Sequence, residues 1–150
     1  MEKTATIDPV VKTIELKASA EKAFAHFTNN IHVWWPLAEH SLSGANAVNV
    51  VFEAKPDGRI FEIDKSGTER EWGRVLDCAP PHRVVFSWIL EEPEKRTEIE
   101  VVIKEKGEHA CVLTLIHYGW ENRSDGAQWR GYYDEGWNPV LGEYLKTLLN

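Results

Sequence analysis

Cysteine is scarce in this chain. Only Cys78 and Cys111 occur, far apart and each without a second ligand nearby, which excludes a disulfide framework and leaves a zinc knuckle without support. Both are expected to be reduced and to behave as small hydrophobes. Closely spaced histidines are missing too. His26 and His32 fall on different predicted elements, and His40, His82 and His109 fall in predicted loops, so no metal site is expected. Positive charge is in the minority, with 17 Lys and Arg against 24 Asp and Glu and a net charge of −7. That balance repels phosphate and argues against nucleic acid or an anionic membrane as partner. Apolar runs are short. The longest, Ala110 to Trp120, cannot span a bilayer as a helix, and Met1 to Thr6 lacks the apolar stretch of a signal peptide. The protein is therefore expected to be soluble and cytoplasmic, and the Asn122-Arg123-Ser124 sequon carries no meaning without a secretory signal. Glycine-rich phosphate loops are absent, and Ser41, Ser43, Ser66 and Ser87 have no nucleophile-elbow context, so covalent acyl chemistry has no signature and no cofactor is expected.

Aromatic residues, by contrast, are plentiful: seven Trp, five Phe and four Tyr in 150 residues. Each buries roughly 150–250 Å² when enclosed, enough for a core, a lined cavity, or both. The length is that of one domain, 1–150.

Periodicity supplies the elements. Val10, Ile14 and Leu16 alternate with Val11, Thr13 and Glu15, a half-buried strand. Ser19 stands where a helix N-cap would, and Ala20, Ala23, Phe24 and Phe27 recur at helical spacing, which predicts a helix over 20–28. Ile31 to Trp35 before Pro36 suits a second, short helical piece, and 37–45 reads as a loop. Six further strands follow, bounded by turns such as Pro56-Asp57-Gly58 and Lys65-Ser66-Gly67. Their faces read Val48, Val50 and Phe52; Ile60 to Ile63; Trp72 to Leu76; Val84, Phe86, Trp88 and Leu90; Ile99, Val101 and Ile103; and Cys111, Leu113, Leu115 and His117. The acidic runs Glu69-Glu71 and Glu91-Glu94 read as solvated hairpin charges. Asp125 with Gln128 resembles a capping box, and Trp129, Tyr133, Trp137, Val140 or Leu141, Tyr144, Leu145 and Leu148 trace an apolar helical stripe over about 126–149. Pro139 predicts a kink or break near 136–139. The class is α+β: a seven-stranded antiparallel meander with one long helix to cover it.

The segments Gly58-Arg59-Ile60-Phe61-Glu62, Glu71-Trp72-Gly73-Arg74-Val75-Leu76, Pro80-Pro81-His82 to Trp88, His117-Tyr118-Gly119-Trp120-Glu121 and Gly136-Trp137 to Leu145 resemble successive motifs of the SRPBCC, or START-like, superfamily. Within it they most resemble the branch named after activators of the heat-shock protein 90 ATPase. The resemblance implies a helix-grip fold like that of the birch-pollen allergen. In it a curved sheet wraps a C-terminal helix, two short helices follow strand one, and a cavity lies between sheet and helix.

Given that fold, Trp34, Trp35, Trp72, Phe86, Trp88, Trp129, Tyr133 and Trp137 either line a pocket or fill the core. His117, on an inward strand face, is either a ligand contact or general acid or base, or a core histidine with satisfied nitrogens. Glu62 and Arg74 would pair if their strands are neighbours, as a polar anchor, an acid or base of shifted pKa, or a structural salt bridge. Three functions follow. One is a binding protein for a small hydrophobic or aromatic molecule, monomeric or weakly dimeric. The second is a cavity enzyme of the polyketide cyclase, aromatase or hydrolase type using His117 and Glu62 for proton transfer. The third is a co-chaperone-type interaction module.

Overall fold

The computed structural model describes residues 7–89 and 96–148. Leu90, the Glu91-Glu92-Pro93-Glu94 connection and residue 149 lie outside the described residues. Strand β1 (Val10–Leu16) leads into α1 (Ala20–Phe27) and the single turn α2 (Ile31–Trp34). Then come β2 (Ala47–Phe52), β3 (Arg59–Asp64), β4 (Glu69–Ala79), β5 (Arg83–Trp88), β6 (Thr97–Glu105), β7 (Cys111–Tyr118) and the long α3 (Gly126–Leu148). All pairings are antiparallel and the order is β1-β7-β6-β5-β4-β3-β2. Chain-order neighbours thus pair throughout β2 to β7, and β1 closes on β7.

Local chemistry explains the ends of these elements. The Ser19 hydroxyl accepts the Lys22 amide at 3.1 Å and caps α1, which buries Ala20, Ala23, Phe24 and Phe27. Helix α3 buries Trp137, Val140, Leu141, Tyr144 and Leu148 against the sheet and α1, and the Tyr144 hydroxyl donates to the Ala23 carbonyl at 2.7 Å. It runs unbroken through Pro139, contrary to the expected interruption. Pro139 and Glu135 are both exposed, so the carbonyl deprived of its helical donor faces solvent, while the buried residues on either side hold both halves in place. The start of α3 also differs from a capping box: the Asp125 carboxylate accepts from Arg123 at 3.0 Å and from the Trp129 indole at 2.8 Å.

Three bulges curl the β2 to β5 end of the sheet. The register skips Val48 in β2, Trp72 between β3 and β4, and Leu76 between β4 and β5. An extra residue shifts the alternation by one, so Val48 and Leu76, expected inside, are 55% and 43% exposed. Arg74 likewise points outward, although Trp72 two residues earlier is fully buried. The Ser87 hydroxyl accepts the Arg74 amide at 3.0 Å beside the bulge. Gly73 is required there, because a Cβ at that position would lie 1.7 Å from the Ser87 carbonyl oxygen. Gly73→Ala is expected to destabilise the protein by about 1–3 kcal/mol through the forced shift of β5, measurable by urea unfolding; an unchanged midpoint would show that the strands part freely.

Candidate functional site

The inward faces of the curled sheet and α3 carry most of the rings, which pack on one another within the core. Trp72 and Trp88 lie 5.6 Å apart between centroids, and Trp88 and Trp137 6.3 Å. Trp35 joins them at 5.2 Å from Trp72, 5.9 Å from Trp88 and 5.9 Å from Trp137. Outside this cluster the rings stop short of filling the space. A cavity of about 220 Å³ remains, walled by Trp35, Trp88, Trp129, Tyr133 and Trp137. Tyr132, Gly136 and Val140 complete its helical side, and Glu39 to Leu42 its outer side. A more open groove of about 490 Å³ adjoins it, sharing Trp35, Glu39 and His40 and continuing over Val33, Trp34, Pro139 and Glu143.

Five of the eight rings singled out in the sequence therefore meet at the cavity. Trp34, Trp72 and Phe86 do not line it. Trp34 turns into the core, its indole donating to the His26 carbonyl at 2.7 Å and its rings against Phe27 and Tyr144. Phe86 packs edge-on against Phe52 at 5.1 Å, and Trp72 backs Trp35. The residues that sequence reasoning missed are Glu39 to Leu42, Tyr132, Gly136 and Val140. Tyr132 is three residues on from Trp129 and Val140 lies on the predicted stripe, so the helical residues had a signal; the loop residues had none.

His117 is fully buried and does not line the cavity. The Trp137 indole, which can only donate, gives its N–H to His117 Nδ1 at 3.1 Å, which requires the proton to sit on Nε2. Nε2 is 2.8 Å from the Thr97 hydroxyl, which in turn donates to the Trp88 carbonyl at 3.4 Å. Burial, with a smaller contribution from the Arg123 charge, pushes the imidazole pKa down to about 3. The ring is neutral, both nitrogens are engaged, and it acts as a buried link between β6, β7 and α3.

Glu62 is also fully buried. Its carboxylate accepts the Leu42 amide at 2.6 Å, the Ser43 amide at 2.9 Å and the Trp72 indole at 2.6 Å. Burial pulls its pKa upward, but the Leu42, Trp72 and Ser43 donors more than offset this, and the net shift is below the ordinary carboxylate value. The expected pairing with Arg74 does not form. The bulge at Trp72 places Arg70 opposite Glu62 in the register and sends Arg74 to Glu71 at 3.0 Å on the surface. Nor do Glu62 and His117 converge, since they lie four strands apart in the sheet, about 19 Å along its curve at roughly 4.8 Å per strand. Glu62 instead pins the loop that forms the outer cavity wall, which the Trp35 indole holds from the other side by donating to the His40 carbonyl at 2.7 Å. Among the described residues no group of three His, Cys, Asp or Glu side chains could hold a metal, and no helix is long and apolar enough to cross a membrane.

A curved antiparallel sheet gripping a C-terminal helix, with a ring-lined space between them, defines the helix-grip class. Residues 17–150 match the family described as Activator of Hsp90 ATPase homolog 1-like protein, and the chain belongs to that family. Among solved structures, it resembles the anthrahydroquino-γ-pyrone synthase Txn09, complexed with SUM, at 30% identity and a TM-score of 0.66 over 94% of this chain and 97% of that one. CalC, a self-sacrificing resistance protein from Micromonospora echinospora, is similar at 22% identity and a TM-score of 0.71, over 94% of each chain. Protein MLL2253 from Mesorhizobium loti gives 19% identity and a TM-score of 0.64 over 93% and 96%. The last two are likenesses of fold. A search among curated proteins found no match. Family and fold together support a ligand-binding domain.

Proposed function

We propose that the cavity between α3, Trp88 and the 35–42 segment binds a small hydrophobic molecule with an aromatic body, and that residues 1–150 form one domain built for it. One observation carries this reading: a tightly ring-packed interior leaves about 220 Å³ unfilled and walls it with rings. Ligand pockets span about 300–1,000 Å³, are mostly apolar and carry few polar groups, so the occupant is compact. Gly136 offers a way to test the reading. It faces the cavity from the middle of α3, and a Cβ there would meet nothing within 4 Å, whereas glycine costs a helix about 0.5–1 kcal/mol relative to alanine.

Gly136→Leu is therefore expected to block the cavity while keeping or slightly raising stability, by about 0.5–1 kcal/mol. Native mass spectrometry of the wild-type protein in a metabolite extract is expected to show a specific adduct that the variant lacks. An adduct retained by the folded variant would place the ligand elsewhere, and no adduct from any extract would defeat the proposal.

The likeness to a synthase at 30% identity favours a second reading, an enzyme acting on such a ligand. Its proton-transfer groups would then be those that line the cavity, Glu39, His40 and Tyr133, in place of His117 and Glu62, whose polar atoms are already engaged.

A further inference from the structure

Hydrogen-bonding capacity around the cavity is unevenly used. The Trp88 indole donates to the Tyr133 hydroxyl oxygen at 3.0 Å, which fixes that oxygen and occupies one of its lone pairs. The phenol's own proton meets no acceptor among the described residues. Rings crowd the phenol: His117 lies 4.9 Å away between centroids, Trp120 5.3 Å, Tyr132 5.7 Å and Trp129 6.2 Å. Burial, partly offset by the Trp88 hydrogen bond, raises the phenol pKa to about 12, so the donor persists at any ordinary pH. Donation from Trp88 into the oxygen also polarises the O–H bond and makes it a better donor. Among the described residues no Lys or Arg lines the cavity, whose ionisable side chains besides the two tyrosines are Glu39 and His40. The Arg123 guanidinium lies behind the wall, 4.8 Å over the Trp129 ring, and is paired with Asp125 at 3.0 Å. A carboxylate or phosphate ligand would find no lysine or arginine in the wall to pair with and a carboxylate, Glu39, facing it.

We infer that Tyr133 is the polar anchor of the cavity, donating its hydroxyl proton to a carbonyl-type oxygen on an uncharged ring ligand. The inference rests on the cavity reading above and narrows its ligand class. Trp88 is then a positioning residue, holding the phenol oxygen in place.

Matched probes test it. α-Tetralone and tetralin share a two-ring skeleton and differ at one carbon, C=O against CH₂. Isothermal titration of both against wild type and Tyr133→Phe is expected to show α-tetralone weakened about tenfold by the substitution, the worth of one good hydrogen bond, with tetralin nearly unchanged. Tetralin binding doubles as the control that the variant is folded. The infrared carbonyl stretch of bound α-tetralone should lie at lower frequency in wild type than in Tyr133→Phe, which a purely packing role for the ring would not produce. Equal weakening of both probes, or an unshifted stretch, overturns the anchor role while leaving the cavity standing. Failure of folded wild-type protein to bind either probe overturns the cavity reading and the anchor with it.

Discussion

Glu62→Gln is expected to destabilise the protein by about 3 kcal/mol, or about 10 °C in Tm, at neutral pH. The carboxylate is fully buried and takes three donors, two of them on Oε1 and one on Oε2. An amide in its place has one oxygen, so whichever way it turns an NH₂ group faces an N–H donor, and the remaining bonds lose their charge assistance. The folded pKa lies below the unfolded value of 4.5, so the unfolded chain takes up the proton first as pH falls. Stability from the ionised carboxylate is therefore complete above about 4.5 and drains as pH drops through the folded value. Thermal melts at pH 7 and pH 4 should show the gap between wild type and variant narrowing at the lower pH. The substitution should also weaken ligand binding at temperatures where the variant is folded, because the released Leu42 is part of the cavity wall. A variant as stable as wild type at pH 7 would show that the Leu42 and Ser43 amides find other partners readily.

Glu62 also marks the boundary of what the sequence could show. Where alternation runs unbroken, as from Cys111 to His117, the inward face was legible residue by residue, and the stripe from Trp129 to Leu148 placed one wall of the cavity. A bulge carries no comparable signal. The extra residue at Trp72 reverses the phase between Glu62 and Arg74, and a period-two reading through it pairs two residues that face opposite sides of the sheet. Trp34 and Trp35 show a second limit. Consecutive positions at a helix end point in different directions, so one indole enters the core and its neighbour the cavity, although nothing in their composition distinguishes them. The outer wall is the least legible part. Glu39 to Leu42 belong to a loop without periodicity, and what holds them, a carboxylate twenty residues away from Leu42 and an indole on Trp35, is fixed only by the folded topology. Pro139 errs in the other direction: a strong local stop signal is overridden because the buried residues flanking it stabilise one continuous helix.

His117 alone is expected to remove about 1.4 kcal/mol of stability for each pH unit between its unfolded pKa of 6.5 and its folded value of about 3. Burial is the main reason, with the Arg123 charge adding to it, and the hydrogen bonding acts in the same sense: Nδ1 keeps a lone pair for the Trp137 indole, and a second proton would set two donors against each other. Over this interval the unfolded chain binds the proton and the folded chain does not, so stability rises with pH and is lost on acidification. His26, whose pKa is also lowered by burial, acts in the same sense. His117→Asn separates the two, because the amide oxygen of asparagine stands close to the position of Nδ1 and can accept from Trp137, yet does not titrate. The variant is expected to be less stable than wild type at pH 7 through lost ring packing against Trp120 and Tyr133. Its stability should fall less steeply between pH 6.5 and 4.5, the window above the range in which Glu62 contributes, so that the two urea-unfolding curves converge by about 2 kcal/mol. Because His26 is common to both proteins, that convergence isolates His117. Parallel curves would mean that the imidazole takes up its proton within the fold, through a rearrangement of the Trp137 and Thr97 contacts.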